Sequence, residues 1–326
     1  MVKTKSLPGK KAKRTSVKKN GQDNLGDSLS RWYASALSYT PHQLANKAVW
    51  AVVLWALAPL ALGMYLSTLI VPQPAVGVIN LDTGISRFTA EFIGLQIEYA
   101  RNHPDIKAVV IEIDTPGGSV VPTQELYYQL LDLRKTVPVV SAIDGLAASG
   151  GYYLAMATDP IFAKPSSTVG NIGVWGIIPP DLAVNDLILA SGPFKLTATN
   201  QAEFVREIEG IKREFLETVK AGRGERLAMK DHEVITGLAY SGREAIELGL
   251  IDYLGSTTEA VAMAAEIAGI RNYRVIDIEM KVLEAIFGDS NPFFEEWVYS
   301  RNPLSEGFAL PPGAYMLYDL QLGGLP

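Results

Sequence analysis

Two short runs of small and polar residues in this 326-residue chain have the make-up of a hydrolytic centre. The first is Gly145-Leu146-Ala147-Ala148-Ser149-Gly150-Gly151-Tyr152-Tyr153, in which Ala147 and Gly151 flank Ser149 where glycines stand in a G-x-S-x-G elbow. Small neighbours permit a sharp turn that exposes a hydroxyl, and a serine held that way can attack a carbonyl. A serine in this setting can equally cap the helix that follows it, and the motif alone leaves both readings open. The second run is Asp114-Thr115-Pro116-Gly117-Gly118-Ser119. Adjacent glycines bring backbone N–H groups close to a reacting carbonyl, so Gly118 and Gly150 are the expected donors of an oxyanion hole. A plain tight turn is the other reading of this run.

A nucleophilic serine needs a base, and the chain has only three histidines, His42, His103 and His232. His42 precedes a long apolar run, His103 sits in an Arg-Asn-His-Pro-Asp turn and His232 lies in a charged stretch, so no Ser-His-Asp triad is legible. Lysine can replace histidine when desolvation lowers its pKa from about 10.4 toward neutrality, because only the neutral amine accepts a proton. Lys212, Lys220 and Lys230 lie among charges, whereas Lys195 has Phe194 and Leu196 beside it and is the one charged residue between Leu187 and Ala202. Lys195 is therefore the preferred base, an exposed loop lysine being the plain alternative. Lys164, between Ala163 and Pro165, stays open. The absence of cysteine removes thiolate metal sites and cysteine nucleophiles, and the scattered histidines make a zinc site improbable; no metal or cofactor is expected.

The elements around these motifs follow from periodicity. Residues 76–81 read as a strand; Phe88, Phe92, Leu95 and Tyr99 recur at helical spacing; 107–114 is a β-branched run short enough for a buried strand. A helix over about 121–135, a strand at 137–143 and a short helix at 152–157 come next. Strand, helix and strand in alternation predict parallel βαβ units, which set both glycine motifs at strand-to-helix turns. Further on, 161–163 and 169–178 read as extended. Phe204, Ile208, Ile211, Phe215 and Val219 write a long helix, and 241–252 a capped helix stopped at Gly249 and followed by a strand.

Before all of this, residues 48–71 run for 24 positions without a charged side chain. At about 1.5 Å per residue such a helix spans roughly 36 Å, enough for a bilayer core of about 30 Å. Residues 1–47 hold ten Lys or Arg against Asp23 and Asp27, a local balance of +8, so the remainder sums to −14 within a net charge of −6. The acidic body argues against nucleic-acid binding, and the basic segment before the apolar run predicts a cytoplasmic N-terminus with the rest outside. The expected organisation is a disordered basic tail over 1–46, an anchor over 47–71, the catalytic domain over 72–270 and a C-terminal arm over 271–326.

Asp-Thr-Pro-Gly-Gly at 114–118, Ala-Ala-Ser-Gly-Gly-Tyr-Tyr at 147–153 and Ser-Gly-x-x-Lys at 191–195, followed by Ser241-Gly242-Arg243-Glu244-Ala245 and Gly249-Leu250-Ile251-Asp252, together resemble the signal peptide peptidase A family of serine peptidases. The resemblance covers roughly 76–256. It implies an α/β fold of the ClpP/crotonase-like type built from repeated ββα units, and a Ser149–Lys195 dyad. It also implies a ring-shaped homo-oligomer at the membrane, in which serine and lysine can come from neighbouring subunits, and apolar peptide substrates such as leftover signal peptides. Leu196 departs from the polar residue that often follows the family's lysine. A crotonase-like acyl-CoA enzyme, which needs no Ser149, and a catalytically silent membrane scaffold are the competing functions.

Overall fold

A computed structural model of the chain describes residues 47–70, 72–178, 191–192, 194–287 and 314–317. The chain divides into two units, Met1–Val71 and Pro72–Pro326. In the first, helix α1 (Lys47–Ile70) carries Pro59 within it, and its stretch Trp50–Ser67 is long and apolar enough to cross a membrane. Its large side chains, among them Trp50, Trp55, Leu60 and Met64, are exposed. The expectation of a disordered basic tail falls outside the described residues.

The second unit runs β1 (Ala75–Leu81), α2 (Arg87–Asn102), β2 (Ile106–Thr115), β3 (Gly117–Ser119), α3 (Val120–Arg134), β4 (Val139–Ala148), α4 (Gly150–Ala155), β5 (Ile161–Ala163), β6 (Thr168–Gly170) and β7 (Trp175–Gly176). It continues through α5 (Gln201–Arg223), α6 (Asp231–Val234), β8 (Ala239–Ser241), α7 (Gly242–Glu247), β9 (Tyr253–Leu254), α8 (Thr257–Ile267), β10 (Arg274–Asp277), α9 (Ile278–Phe287) and β11 (Ala314–Leu317). The main sheet follows the order β10-β1-β2-β4-β5-β9 with every neighbouring pair parallel, and β6 and β8 branch from the far end of β4. This is the mixed α/β architecture expected from the alternating periodicities, and its helices are the crossovers that parallel pairing requires.

Period-two alternation between two buried faces explains why β2 is continuously apolar from Ala108 to Ile111. Val109, Ile111 and Ile113 face the core shared with α2, α3 and α4, while Ala108 and Val110 face the layer closed by Ala260, Val261, Ala264 and Ala265 of α8. Helix starts are marked where the sequence supplies an acceptor. Ser86, Asn200, Ser241 and Ser256 each accept a backbone N–H of the first turn, and at Ser241 and Ser256 a glutamate three residues on completes a capping box. The helix expected from the Ser241 cap to a stop at Gly249 runs Gly242–Glu247, and Gly249 turns the chain at φ +73° ahead of β9, as expected. The extended run expected over 169–178 divides into β6 and β7, which belong to different sheets.

Within the segment expected as a C-terminal arm, 271–326, the main sheet gains a further strand. β10 pairs in register with Ala75–Val78 of β1, and Ile278 and Val282 of α9 are buried in the main core. A second, three-stranded sheet has the order β3-β11-β7 and is antiparallel at both junctions.

Candidate active site

β2 and β4 lie side by side at the centre of the main sheet, and both candidate motifs emerge from their carboxyl ends. Thr115 pairs with Ala147, so the chain leaves the sheet at Pro116 and at Ser149 from adjacent positions. Thr115, fully buried, ties the two exits together. Its hydroxyl donates to the Thr83 carbonyl at 2.5 Å and accepts from Gly117 N–H at 3.2 Å, and a Cβ added at Gly151 would lie 2.7 Å from its methyl group. Gly151 is thus required by close approach, as the elbow pattern implies. Gly118 is required for another reason: a Cβ there would collide with the Ile85 carbonyl. Ile85 holds this loop in place, with its N–H donating to Gly117 O and its carbonyl accepting from Ser119 N–H, both at 2.8 Å.

Ser149 occupies the N-cap position of α4 with φ 53° and ψ −115°, a conformation that side chains rarely adopt. Such backbone costs on the order of 1–3 kcal/mol and persists only where surrounding contacts impose it. Here they do: Ser149 N–H donates to the Gly170 carbonyl at 2.8 Å, and Ser149 O accepts from Tyr153 N–H at 2.9 Å. The next turn is fixed by two buried tyrosines. Tyr152 Oη donates to Leu250 O at 2.8 Å, and Tyr153 packs edge-on against Tyr127 and Phe215 while donating to Glu214 at 3.3 Å. Burial pushes the Tyr153 phenol up to about 12 and the Tyr152 phenol further still, so both stay protonated and serve as anchors. Unlike Ser86, Asn200, Ser241 and Ser256, Ser149 makes no side-chain cap bond, and among the described residues no hydrogen bond engages its hydroxyl. Gly150 opens α4, where the first N–H groups have no intrahelical acceptor.

The lysines differ sharply from this. Lys164 pairs with Asp144, and that hydrogen bond holds its amine above the ordinary lysine value. A lysine paired in this way favours the ammonium form, so within the single chain Lys164 is poorly set to accept a proton. Lys195 lies exposed in the turn that follows Gly192, held by a 3.2 Å bond from its backbone N–H to Gly192 O. Phe194 and Leu196 are exposed beside it rather than folded over it. Among the described residues, no hydrogen bond joins Lys195 to Ser149. The single chain therefore brings together Ser149, Gly150 and the Gly117-Gly118 loop, and leaves Lys195 in solvent. Of the histidines, His103 is spent on structure, stacked on Tyr99 with its Nδ1 2.7 Å from the Tyr99 carbonyl, His232 lies in α6, and His42 is outside the described residues. Among the described residues no group of acidic or histidine side chains is arranged to hold a metal.

Sequence reasoning missed three contributors. Ile85 sits in a loop with no motif, and Gly170, which receives the Ser149 N–H, follows an unremarkable Thr-Val pair. The third is an ion pair next to the Tyr152 anchor: the Arg223 guanidinium, buried, donates to both oxygens of Asp252 at 2.9 and 2.8 Å and through Nε to the carbonyl of Gly249 at 2.7 Å, one residue before the Leu250 carbonyl that receives Tyr152. Burial pulls the Asp252 carboxyl upward, but Arg223, the Ile161 N–H and Arg226 outweigh it and hold it below the usual carboxylate range.

The sequence profile described as peptidase family S49 matches residues 132–180 and 189–271. Among curated proteins, slr0021 of Synechocystis sp., a candidate protease, is 34% identical over 50% of this chain and 64% of its own length. Protease 4 of Salmonella typhi is 30% identical over 55% of this chain and 31% of its own. The chloroplastic serine protease SPPA of Arabidopsis thaliana is 29% identical over 61% of this chain and 32% of its own. The chain thus spans less than two thirds of the length of each of these relatives. A solved membrane-bound stomatin-specific protease aligns over 71% of this chain and 98% of its own, with 18% identity and a TM-score of 0.47.

Proposed function

We propose that this chain is a peptidase of family S49, a membrane-anchored serine endopeptidase acting on apolar peptides such as signal peptides at the membrane face. The observation that carries the reading is Ser149 itself: strained, fixed by backbone bonds on both sides, and with its hydroxyl left uncommitted at a position where other serines of the chain cap their helices. Ser119, the N-cap of α3, also makes no side-chain cap bond, but its backbone is relaxed at φ −65°; the positive φ sets Ser149 apart.

In the proposed reaction, neutral Lys195 takes the proton of Ser149 Oγ while the oxygen attacks the substrate carbonyl. The N–H groups of Gly150 and of the Gly118 loop stabilise the oxyanion, each such donor supplying about 3 kcal/mol of barrier reduction. Lys195 then protonates the leaving amine, and water releases the acyl group from the serine. The exposure of Lys195 in the isolated chain favours a site completed by assembly, with the lysine desolvated only when subunits of a homo-oligomeric ring meet. Helix α1 supports the anchor, and the basic residues before it support a cytoplasmic N-terminus and an extracytoplasmic catalytic domain.

Detergent-solubilised full-length protein and its Ser149→Ala variant, compared on casein and on a labelled apolar peptide, test the reading. Loss of hydrolysis in the variant, together with labelling of Ser149 by a serine-directed phosphonate, is the expected outcome. Unchanged hydrolysis by Ser149→Ala would sink it.

A further inference from the structure

Three helices of the catalytic unit each start where one of the proposed catalytic elements ends. α3 follows the Gly117-Gly118-Ser119 loop, α4 follows Ser149, and α5 follows the turn of Lys195, with Asn200 as its cap. All three helices meet at one carboxylate. Glu214 Oε1 on α5 accepts from Gln124 Nε2 of α3 at 2.8 Å and from Tyr153 Oη of α4 at 3.3 Å. Tyr153 Oη in turn accepts from Thr218 Oγ1, one turn further along α5, at 3.3 Å, and the Tyr153 ring packs edge-on against both Tyr127 of α3 and Phe215 of α5.

A glutamate on a charged helix face commonly pairs within its own helix, as Glu203 does with Arg206, Glu209 with Lys212 and Glu217 with Lys220. Glu214 differs: among the described residues it makes no ion pair, and its oxygen is used by the neighbouring helices instead. Burial holds the Tyr153 phenol up to about 12, so at neutral pH it keeps the proton that it donates to this carboxylate.

The angle at which α5 leaves this junction matters because of the helix's length. Its buried residues gather from Phe215 onward, with Phe204 alone buried before Glu214. From Gln201 to Glu214 the helix runs about 20 Å, so a tilt of about 5° at the junction moves its start, and the Lys195 turn with it, by about 2 Å. A misplacement of about 1 Å can cost 10²-fold in rate. Resting on the proposed Ser149–Lys195 reaction, we infer that Glu214 is a positioning residue, which fixes the helix carrying the base to the helices that follow the nucleophile and the oxyanion loop. The requirement is the same whether the lysine meets the serine of its own chain or of a neighbouring copy.

Variants of full-length, detergent-solubilised protein separate the hydrogen bonds of Glu214 from its charge. Glu214→Gln keeps an oxygen for both donors, Glu214→Leu offers none, and Glu217→Leu removes a carboxylate that pairs only within α5. On the labelled apolar peptide, Glu214→Leu should lower kcat by about 10- to 100-fold with KM within about twofold, while Glu214→Gln and Glu217→Leu stay within about threefold of the parent. Equal losses in Glu214→Gln and Glu214→Leu, or a Glu214→Leu kcat within about threefold of the parent, would overturn the inference and leave hydrolysis by Ser149 untouched. Thermal unfolding of Gln124→Ala, Glu214→Leu and the double variant reads the junction without catalysis. Midpoint shifts that fail to add are expected, and additive shifts would remove the contact. Coupled shifts in a protein whose Ser149 form hydrolyses nothing would sustain the junction and discard the peptidase reading.

Discussion

The turn that carries Ser149 and the turn that carries Lys195 are built by different means. Ser149 is enclosed by the centre of the sheet: β4 delivers it, Gly170 and Tyr153 hold its backbone, Thr115 packs against Gly151 two residues on, and the two tyrosines of α4 anchor the following helix in the core. Lys195 sits in an exposed turn fixed by a local backbone bond, with its apolar neighbours facing solvent. One half of the proposed dyad is thus shaped within a single chain, whereas the other has the right sequence and lacks its setting. A nucleophile needs exact placement, which a close-packed sheet supplies, while a lysine base also needs exclusion of water, which a single exposed turn cannot supply.

Substitutions can break this contrast or sharpen it. The largest effect is expected at the lysines. Lys195→Ala should lower kcat by about 10³-fold, the usual scale for loss of a general base, whereas Lys164→Met should leave kcat within about threefold; equal losses would mean that the base has been misassigned. If the lysine site is completed by assembly, mixing Ser149→Ala with Lys195→Ala subunits should restore part of the activity that each lacks alone, as read from peptide hydrolysis after co-refolding.

Next comes the buried Arg223–Asp252 ion pair. Arg223→Met strips Asp252 of its bidentate partner and leaves it only Arg226 and the Ile161 N–H, and should cost about 3 kcal/mol in urea denaturation, the lower end of the scale for a broken buried pair. The sign with pH follows from the depressed Asp252 carboxyl. Its contribution is fully present above the unfolded aspartate value of about 3.9 and is lost as pH falls through the lower folded value. The denaturation midpoint should therefore fall on acidification below about pH 4, and this part of the fall should be absent in Asp252→Asn.

Gly151→Ala should cost about 1–3 kcal/mol in stability, as overpacking against Thr115 does, with a parallel loss of turnover if the elbow shifts. The smallest effect measures the strain itself. Ser149→Gly should be more stable than Ser149→Ala by about 1 kcal/mol in thermal denaturation, because glycine accepts φ 53° without a Cβ penalty; equal stability would argue that the elbow is unstrained.

Much of the fold was legible from local pattern. Phe88 to Tyr99 and Phe204 to Val219 announce their helices through spacing, and Ala108 to Ile113 announces a strand buried on both faces. The elbow was legible as well, because small residues at 147 and 151 are a local requirement of a sharp turn. Ser149's freedom from capping was not, since cap and nucleophile share the same local sequence and differ only in where Gly170 and Thr115 arrive from elsewhere in the chain. Nor was the pairing of Arg223 with Asp252, the joining of β10 to β1 across nearly the whole catalytic unit, or the seating of β11 between β3 and β7.

The sequence by itself determined the apolar span before residue 72, the alternation of strands and helices, the serine turn and the set of lysines from which a base must be chosen. The tertiary structure alone decided which strands became neighbours, that Ser149 is held strained and uncapped, that Lys164 is committed to Asp144, and that a strand from the chain's end lies beside Gly118. The division has a physical cause: periodicity and turn chemistry act over a few residues and are written locally, whereas burial, pairing partners and charge environment depend on groups far apart in the chain and exist only once it has folded.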